Sequence, residues 1–192
     1  MRKKRVAVLI SGGGSNLQAL INAALVTDYP AQVVLVISNN PDAYGLKRAQ
    51  DANIPTKIVN HRNYDSRAAF EQSLHDVLLS ENIELICLAG FMRVLDDQFV
   101  HKWEGRMINI HPSLLPKYKG LHTHARAIEA GETEAGCTVH FVVPELDAGP
   151  IIAQAAVPVA PDDTPETLAA RVLEKEHLIY PEALRKLALG LV

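Results

Sequence analysis

Short apolar runs alternate with amphipathic helical patterns along the first half of this chain, and that alternation restricts the fold more than any other feature. Val6 to Ile10 reads as a strand, with Leu17, Leu20, Ile21, Ala24 and Leu25 on one face of the helix behind it. Val33 to Ile37 is a second strand, residues 43–52 a second helix, and Thr56 to Val59 a short third strand. Arg67 to Leu79 repeats the helical period, with Phe70, Leu74, Val77 and Leu78 inward. Leu85 to Ala89 is apolar at every position, as a strand covered on both faces must be. Such a series predicts a mostly parallel sheet between two layers of helices.

The rhythm changes after Met107 to Ile110. Cys137 to Val143 and Ile151 to Val157 are two strands joined by a loop bearing Pro and Gly, which predicts a mixed or antiparallel edge. A last helix opens at Thr164-Pro165, an N-cap followed by proline at the first helical position. The expected architecture is a single-domain three-layer α/β fold over residues 1–192. Its N-terminal half is Rossmann-like, to about residue 100, and its C-terminal half from about 101 carries the mixed strands. The chain has 192 residues, 48% apolar and 21% charged, enough for a packed core. No apolar run nears the roughly 20 residues that span a bilayer. The net charge of -3 gives no basis for nucleic-acid binding. Arg2 to Arg5 leads into an apolar stretch that stops at Ser11-Gly12, too short for a secretion signal. Cys87 and Cys137 lack metal-ligand spacing, so a reduced cytoplasmic protein is expected.

Several loops carry residues suited to chemistry. Asn109 and His111 alternate at the end of a strand, so they share one side of it, and Pro112 and Pro116 prevent its extension. An amide donor and an imidazole are thereby left at a sheet rim, where open α/β folds bind ligands. A strand end with a capping Asn and a surface His accounts for the segment equally well. Sequence leaves the isomer of the Leu115–Pro116 bond open. Ser11-Gly12-Gly13-Gly14-Ser15-Asn16 joins the first strand to the first helix and suits one phosphate at a helix N-terminus. Leu17 stands where a dinucleotide fingerprint needs glycine, and no Walker lysine follows. The rival reading is a tight turn with a Ser15–Gln18 capping box.

Asp147, in Glu145 to Pro150, is an ordinary turn residue unless it reaches His111, where it would favour the imidazolium. Phe91 to Leu95 follows the most buried strand and fits either a flat-ligand pocket or a core plug; spacing alone favours the plug. Glu176 falls at the edge of the apolar stripe of Leu168, Val172 and Ile179, and needs an ion-pair partner or a substrate amine. His111, His122, His124 and His140 with Asp147 leave a metal hydrolase conceivable, but no helical His-x-x-x-His pair is present.

Taken together, these segments resemble the phosphoribosylglycinamide formyltransferase family of small folate-dependent enzymes. The similarity rests on Ser-Gly-Gly-Gly-Ser-Asn-Leu at 11–17, Ala-Gly-Phe-Met-Arg-Val-Leu at 89–95, Asn-Ile-His-Pro-Ser-Leu-Leu-Pro at 109–116, Val-His-Phe at 139–141 and Glu-Leu-Asp-Ala-Gly-Pro at 145–150. The resemblance implies that Asn109, His111 and Asp147 form the catalytic trio. It implies that Gly14, Ser15 and Asn16 bind the substrate phosphate and that Glu176 lies near the glycinamide end. Met92, Arg93, Val94 and Leu95, with Asn109, match the folate pocket, and Arg67 matches a further folate contact. Gly13 departs from the pattern, where many relatives carry a polar residue.

The implied reaction moves formyl from 10-formyltetrahydrofolate to the amine of 5-phosphoribosylglycinamide in purine (IMP) biosynthesis, without a metal. Small-molecule co-substrates are the implied partners, with no nucleic acid and no membrane, and the chain is expected as a monomer or homodimer. The alternative is a formyltetrahydrofolate deformylase-like hydrolase, which transfers formyl to water. That relative should carry an extra N-terminal domain, whereas the first strand here begins near residue 5.

Overall fold

The computed structural model describes residues 2–192. Seven strands form one sheet: β1 (Lys4–Ile10), β2 (Ala31–Ser38), β3 (Thr56–Ile58), β4 (Leu85–Leu88), β5 (Met107–His111), β6 (Glu134–Phe141) and β7 (Ile151–Pro158). Their order is β3-β2-β1-β4-β5-β6-β7. The first five run parallel, whereas β6 is antiparallel to β5 and β7 to β6. The direction of winding reverses between β1 and β4, which opens a crevice at the carboxyl ends of the strands.

The core has two halves because side chains alternate across a strand. Val6, Val8 and Ile10 of β1 pack on one face with α1 (Ser15–Ala24), α2 (Tyr44–Asp51) and α6 (Pro165–Ala188). Ala7 and Leu9 face the opposite layer, packed by Phe70, Leu74 and Leu78 of α3 (Arg67–Ser80) and by Phe99 and Val100 of α4 (Asp97–Lys102). Val77 is partly buried against that second layer, as the helical period predicts.

Several boundaries differ from expectation. Leu25 is 78% exposed because α1 ends at Ala24 and Leu25 lies at its C-cap. β6 starts at Glu134 and ends at Phe141, set by its pairing with β7 from Glu134 and with β5 to Phe141. Two short helices escape sequence reading, α4 and α5 (Thr123–Glu129), because six or seven residues show too little periodicity. The capping box of Ser15 and Gln18, the rival reading of this loop, does not form. Gly14 is the N-cap, at φ 72°, and no side chain caps α1. A Cβ on Gly14 would lie 2.7 Å from the Gly45 Cα, so the loop is pressed onto the start of α2. Gly45 N–H donates to the Gly12 carbonyl at 2.9 Å and Arg48 Nε to that of Gly13 at 2.8 Å. Thr164 caps α6 in a reciprocal pair with Thr167, as expected of an N-cap before Pro165. The Leu115–Pro116 peptide is cis. No helix among the described residues is long and apolar enough to cross a membrane.

Candidate active site

A cavity of about 620 Å³ opens at the carboxyl ends of β1, β4 and β5. It draws Asn16 from α1, Phe91 to Leu95 from the loop after β4, Asn109 and His111 from β5, Asp147 from the β6–β7 loop and Glu176 from α6. Residues separated by up to 160 positions therefore share one wall system, contributed by both halves of the chain. Gly14 and Ser15 do not line it, though Asn16 beside them does, and Arg67 stands outside it on α3.

His111 is buried, and its Nδ1 lies 3.4 Å from Asp147 Oδ2. That spacing is an ion-pair distance, longer than a closed charge-assisted hydrogen bond. On the other edge, Nε2 donates to the Tyr118 carbonyl at 2.9 Å. Acceptors thus face both ring nitrogens. Asp147 is a loop residue with its side chain 8% exposed and its backbone at φ 49°. Its Oδ2 also accepts the Gly120 N–H at 2.9 Å. Tyr118 and His122 likewise have positive φ, so the turn that grips both His111 and Asp147 carries backbone strain of the kind found at functional sites.

His140 completes the cluster, and sequence reasoning placed it only among hypothetical metal ligands. Its Nδ1 lies 2.8 Å from the Phe141 carbonyl and must carry the proton there. Its Nε2 is then an acceptor, 3.3 Å from Asn109 Nδ2, and this orients the Asn109 amide. Burial lowers the His140 pKa and the nearby His111 adds to this, against the Phe141 bond and the Asp147 charge. The neutral tautomer agrees with the hydrogen-bond pattern. Burial also lowers His124, with His111 adding to it. The pairing of β5 with β6 sets Asn109 opposite His140, a register signal the sequence carries only once those strands are known to be antiparallel.

At the other end of the cavity Asn16 Nδ2 donates to Glu176 Oε2 at 2.7 Å. One Asn16 amide N–H is therefore engaged by α6. Glu176 is 7% exposed; burial raises its pKa, and the Asn16 bond opposes that. Asn16 Oδ1 is buried without a partner. Glu176 thus brings a buried carboxyl to the cavity wall, a group suited to an N–H donor. Tyr180, one turn beyond Glu176, donates its hydroxyl to the carbonyls of Leu88 at 2.8 Å and Ile108 at 3.2 Å, which fixes α6 under β4 and β5. The α1 amide groups after Gly14 have no side-chain cap and are open to an anion.

The core-plug reading of Phe91 to Leu95 fails for its centre. Met92 is 65% and Val94 64% exposed, both on the cavity wall, and only Leu95 is buried. The Met92 N–H donates to the Ser11 hydroxyl at 2.8 Å, joining this wall to the glycine loop. Neither cysteine offers a nucleophile: burial pushes both thiols up to about 12. The histidines and Asp147 do not converge as metal ligands; no group of three such side chains is so placed among the described residues.

The sequence matches the formyl transferase family over residues 4–184. It is 51% identical over 192 residues to the trifunctional purine biosynthetic protein adenosine-3 of Chironomus tentans, covering 99% of this chain and 14% of that protein. The chain spans 14 to 19% of the length of the trifunctional relatives it matches. A phosphoribosylglycinamide formyltransferase of Haemophilus influenzae is 49% identical over 178 residues, 93% of this chain and 84% of that one. The crystal structure of phosphoribosylglycinamide formyltransferase from Brucella melitensis superposes with a TM-score of 0.95 at 51% identity, covering 100% of this chain and 98% of that one. On sequence and fold alike, the chain belongs to the formyl transferase family, among the phosphoribosylglycinamide formyltransferases.

Proposed function

We propose that this chain transfers the formyl group of 10-formyltetrahydrofolate to the amine of 5-phosphoribosylglycinamide, giving formylglycinamide ribonucleotide and tetrahydrofolate in purine biosynthesis. One observation carries the reading: a single cavity holds the His111–Asp147 pair and the Asn16–Glu176 pair, beside an uncapped helix start. The phosphate of the acceptor substrate meets the α1 amides of Ser15 and Asn16 beyond Gly14. Its amine end supplies a further donor to the Glu176 carboxyl. The folate ring lies against Met92, Arg93, Val94 and Leu95, with Arg67 at the outer margin.

The amine nitrogen attacks the formyl carbon, forming the new C–N bond and an oxyanion. Asn109 keeps one amide N–H free of His140 to donate to that oxygen. His111 is the second donor once its Nε2 leaves the Tyr118 carbonyl, while Asp147 keeps its place beside Nδ1. Collapse breaks the bond to the folate N10, which takes the proton the amine loses, relayed by His111 or a water it binds. Much of the rate comes from holding two bound substrates together.

Hydrolysis to free formate needs no amine site and leaves the Glu176 carboxyl without a role. The two free, buried cysteines fit a reducing cytoplasm. Mass spectrometry after reaction with donor labelled in the formyl carbon separates the outcomes. Label in formylglycinamide ribonucleotide is expected; label in formate alone contradicts the proposal.

A further inference from the structure

Glu71 on α3 lies outside the cavity and takes no part in the chemistry above, yet it is a carboxylate only 3% exposed. Burying such a group is costly unless specific partners compensate. Its Oε1 accepts from Arg67 Nε at 3.1 Å and from the backbone N–H of Asp96 at 2.9 Å. The two donors belong to different parts of the site. Arg67 opens α3, one turn before Glu71. Asp96 caps α4 through a 2.8 Å bond from the Phe99 N–H, and it directly follows Leu95 on the cavity wall.

An exposed i,i+4 ion pair on a helix contributes little and acts locally. The Asp96 bond is different, because it ties α3 to a segment 25 residues away. It fixes the end of the Phe91–Leu95 wall, whose central residues Met92 and Val94 have little packing of their own. The bond from Nε also occupies the inner edge of the Arg67 guanidinium, and its terminal amino groups make no hydrogen bond among the described residues. Its side chain stays 46% exposed. Glu71 Oε2 itself has no partner, so the carboxylate is held from one oxygen only.

We propose that Glu71 is a positioning residue for the folate side of the site, setting the end of the Phe91–Leu95 wall and the direction of the Arg67 fork with one oxygen. This rests on reading that wall as the folate pocket. Glu71→Gln keeps an oxygen for the Asp96 N–H but removes the charge facing Arg67; Glu71→Ala removes both. Steady-state kinetics of the full chain should show the KM for 10-formyltetrahydrofolate rising about threefold in Glu71→Gln and about tenfold or more in Glu71→Ala, as loss of hydrogen bonds to a charged group implies. The KM for 5-phosphoribosylglycinamide should stay within about twofold, since a general packing defect is the only route by which Glu71 reaches that end. KM does not depend on the fraction of folded enzyme, so partial misfolding lowers only the apparent turnover, and Glu71→Gln carries the test if the alanine variant does not fold. Titration with tetrahydrofolate should rank wild type, Glu71→Gln and Glu71→Ala in the same order of affinity. An unchanged folate KM in both variants, or an equal rise in both KM values, overturns the proposal. Absence of any transfer by the wild-type protein overturns instead the reading of the site on which it rests.

Discussion

At the residue scale, few ionisable side chains reach the buried site. Asp147 is the case with the clearest consequence. Its Oδ2 faces both His111 Nδ1 and the Gly120 N–H, so Asp147→Asn keeps an oxygen for the turn and removes the charge beside the ring. Turnover should fall by about 10²-fold or more, the usual scale of acid–base catalysis, while the KM for the phosphate substrate stays near wild type. Rates within a few-fold of wild type in that variant would remove Asp147 from the mechanism. Asn109 and His111 were legible in sequence because they alternate before two prolines. The neutral His140 that orients Asn109 was not, since the tautomer follows from its contact with the Phe141 carbonyl, which only three-dimensional geometry reveals. The pairing of the Asn16 side chain with Glu176 was not legible either, because 160 positions separate the two residues.

At the element scale, the helices and strands with a clear apolar pattern are the ones sequence located, and the short helices α4 and α5 are the ones it missed. β1, β2 and α3 expose their period directly, whereas α4 and α5 are held by tertiary contacts and caps, such as Asp96 on the Phe99 N–H. The start of α1 shows tertiary context overriding a local signal. Ser15 and Gln18 have capping-box spacing, yet the chain enters the helix through Gly14 in a left-handed conformation packed on Gly45. Gly14→Ala should therefore destabilise the protein by about 1–2 kcal/mol, the cost of an L-residue in that region, with the steric clash adding to it. Urea unfolding measures this directly. The same substitution should raise the KM for the phosphate substrate; unchanged stability would mean that the loop relaxes freely and is not pinned as described.

At the scale of the whole molecule, alternating apolar runs were enough to anticipate a parallel sheet with an antiparallel edge, but not the register that sets His140 beside Asn109. Global electrostatics also gives a test. Burial acts to raise the Glu84 carboxyl, but the Arg5 amide, Lys4 and Arg2 outweigh it and bring the pKa down from 4.5 to about 2. A depressed carboxylate stabilises the folded state above its unfolded pKa and loses that contribution as pH falls toward the folded value. Stability should decline between pH 4.5 and 2, and Glu84→Gln should flatten that decline when urea midpoints are compared across the range. Equal pH profiles for variant and wild type would show that Glu84 contributes nothing there. The claim that joins all three scales is that one cavity holds a formyl donor and an amine acceptor together. Its most direct test is the initial rate of tetrahydrofolate release by purified protein, with and without 5-phosphoribosylglycinamide. Release that depends on the amine substrate is the predicted result, and release at the same rate in its absence would contradict the account.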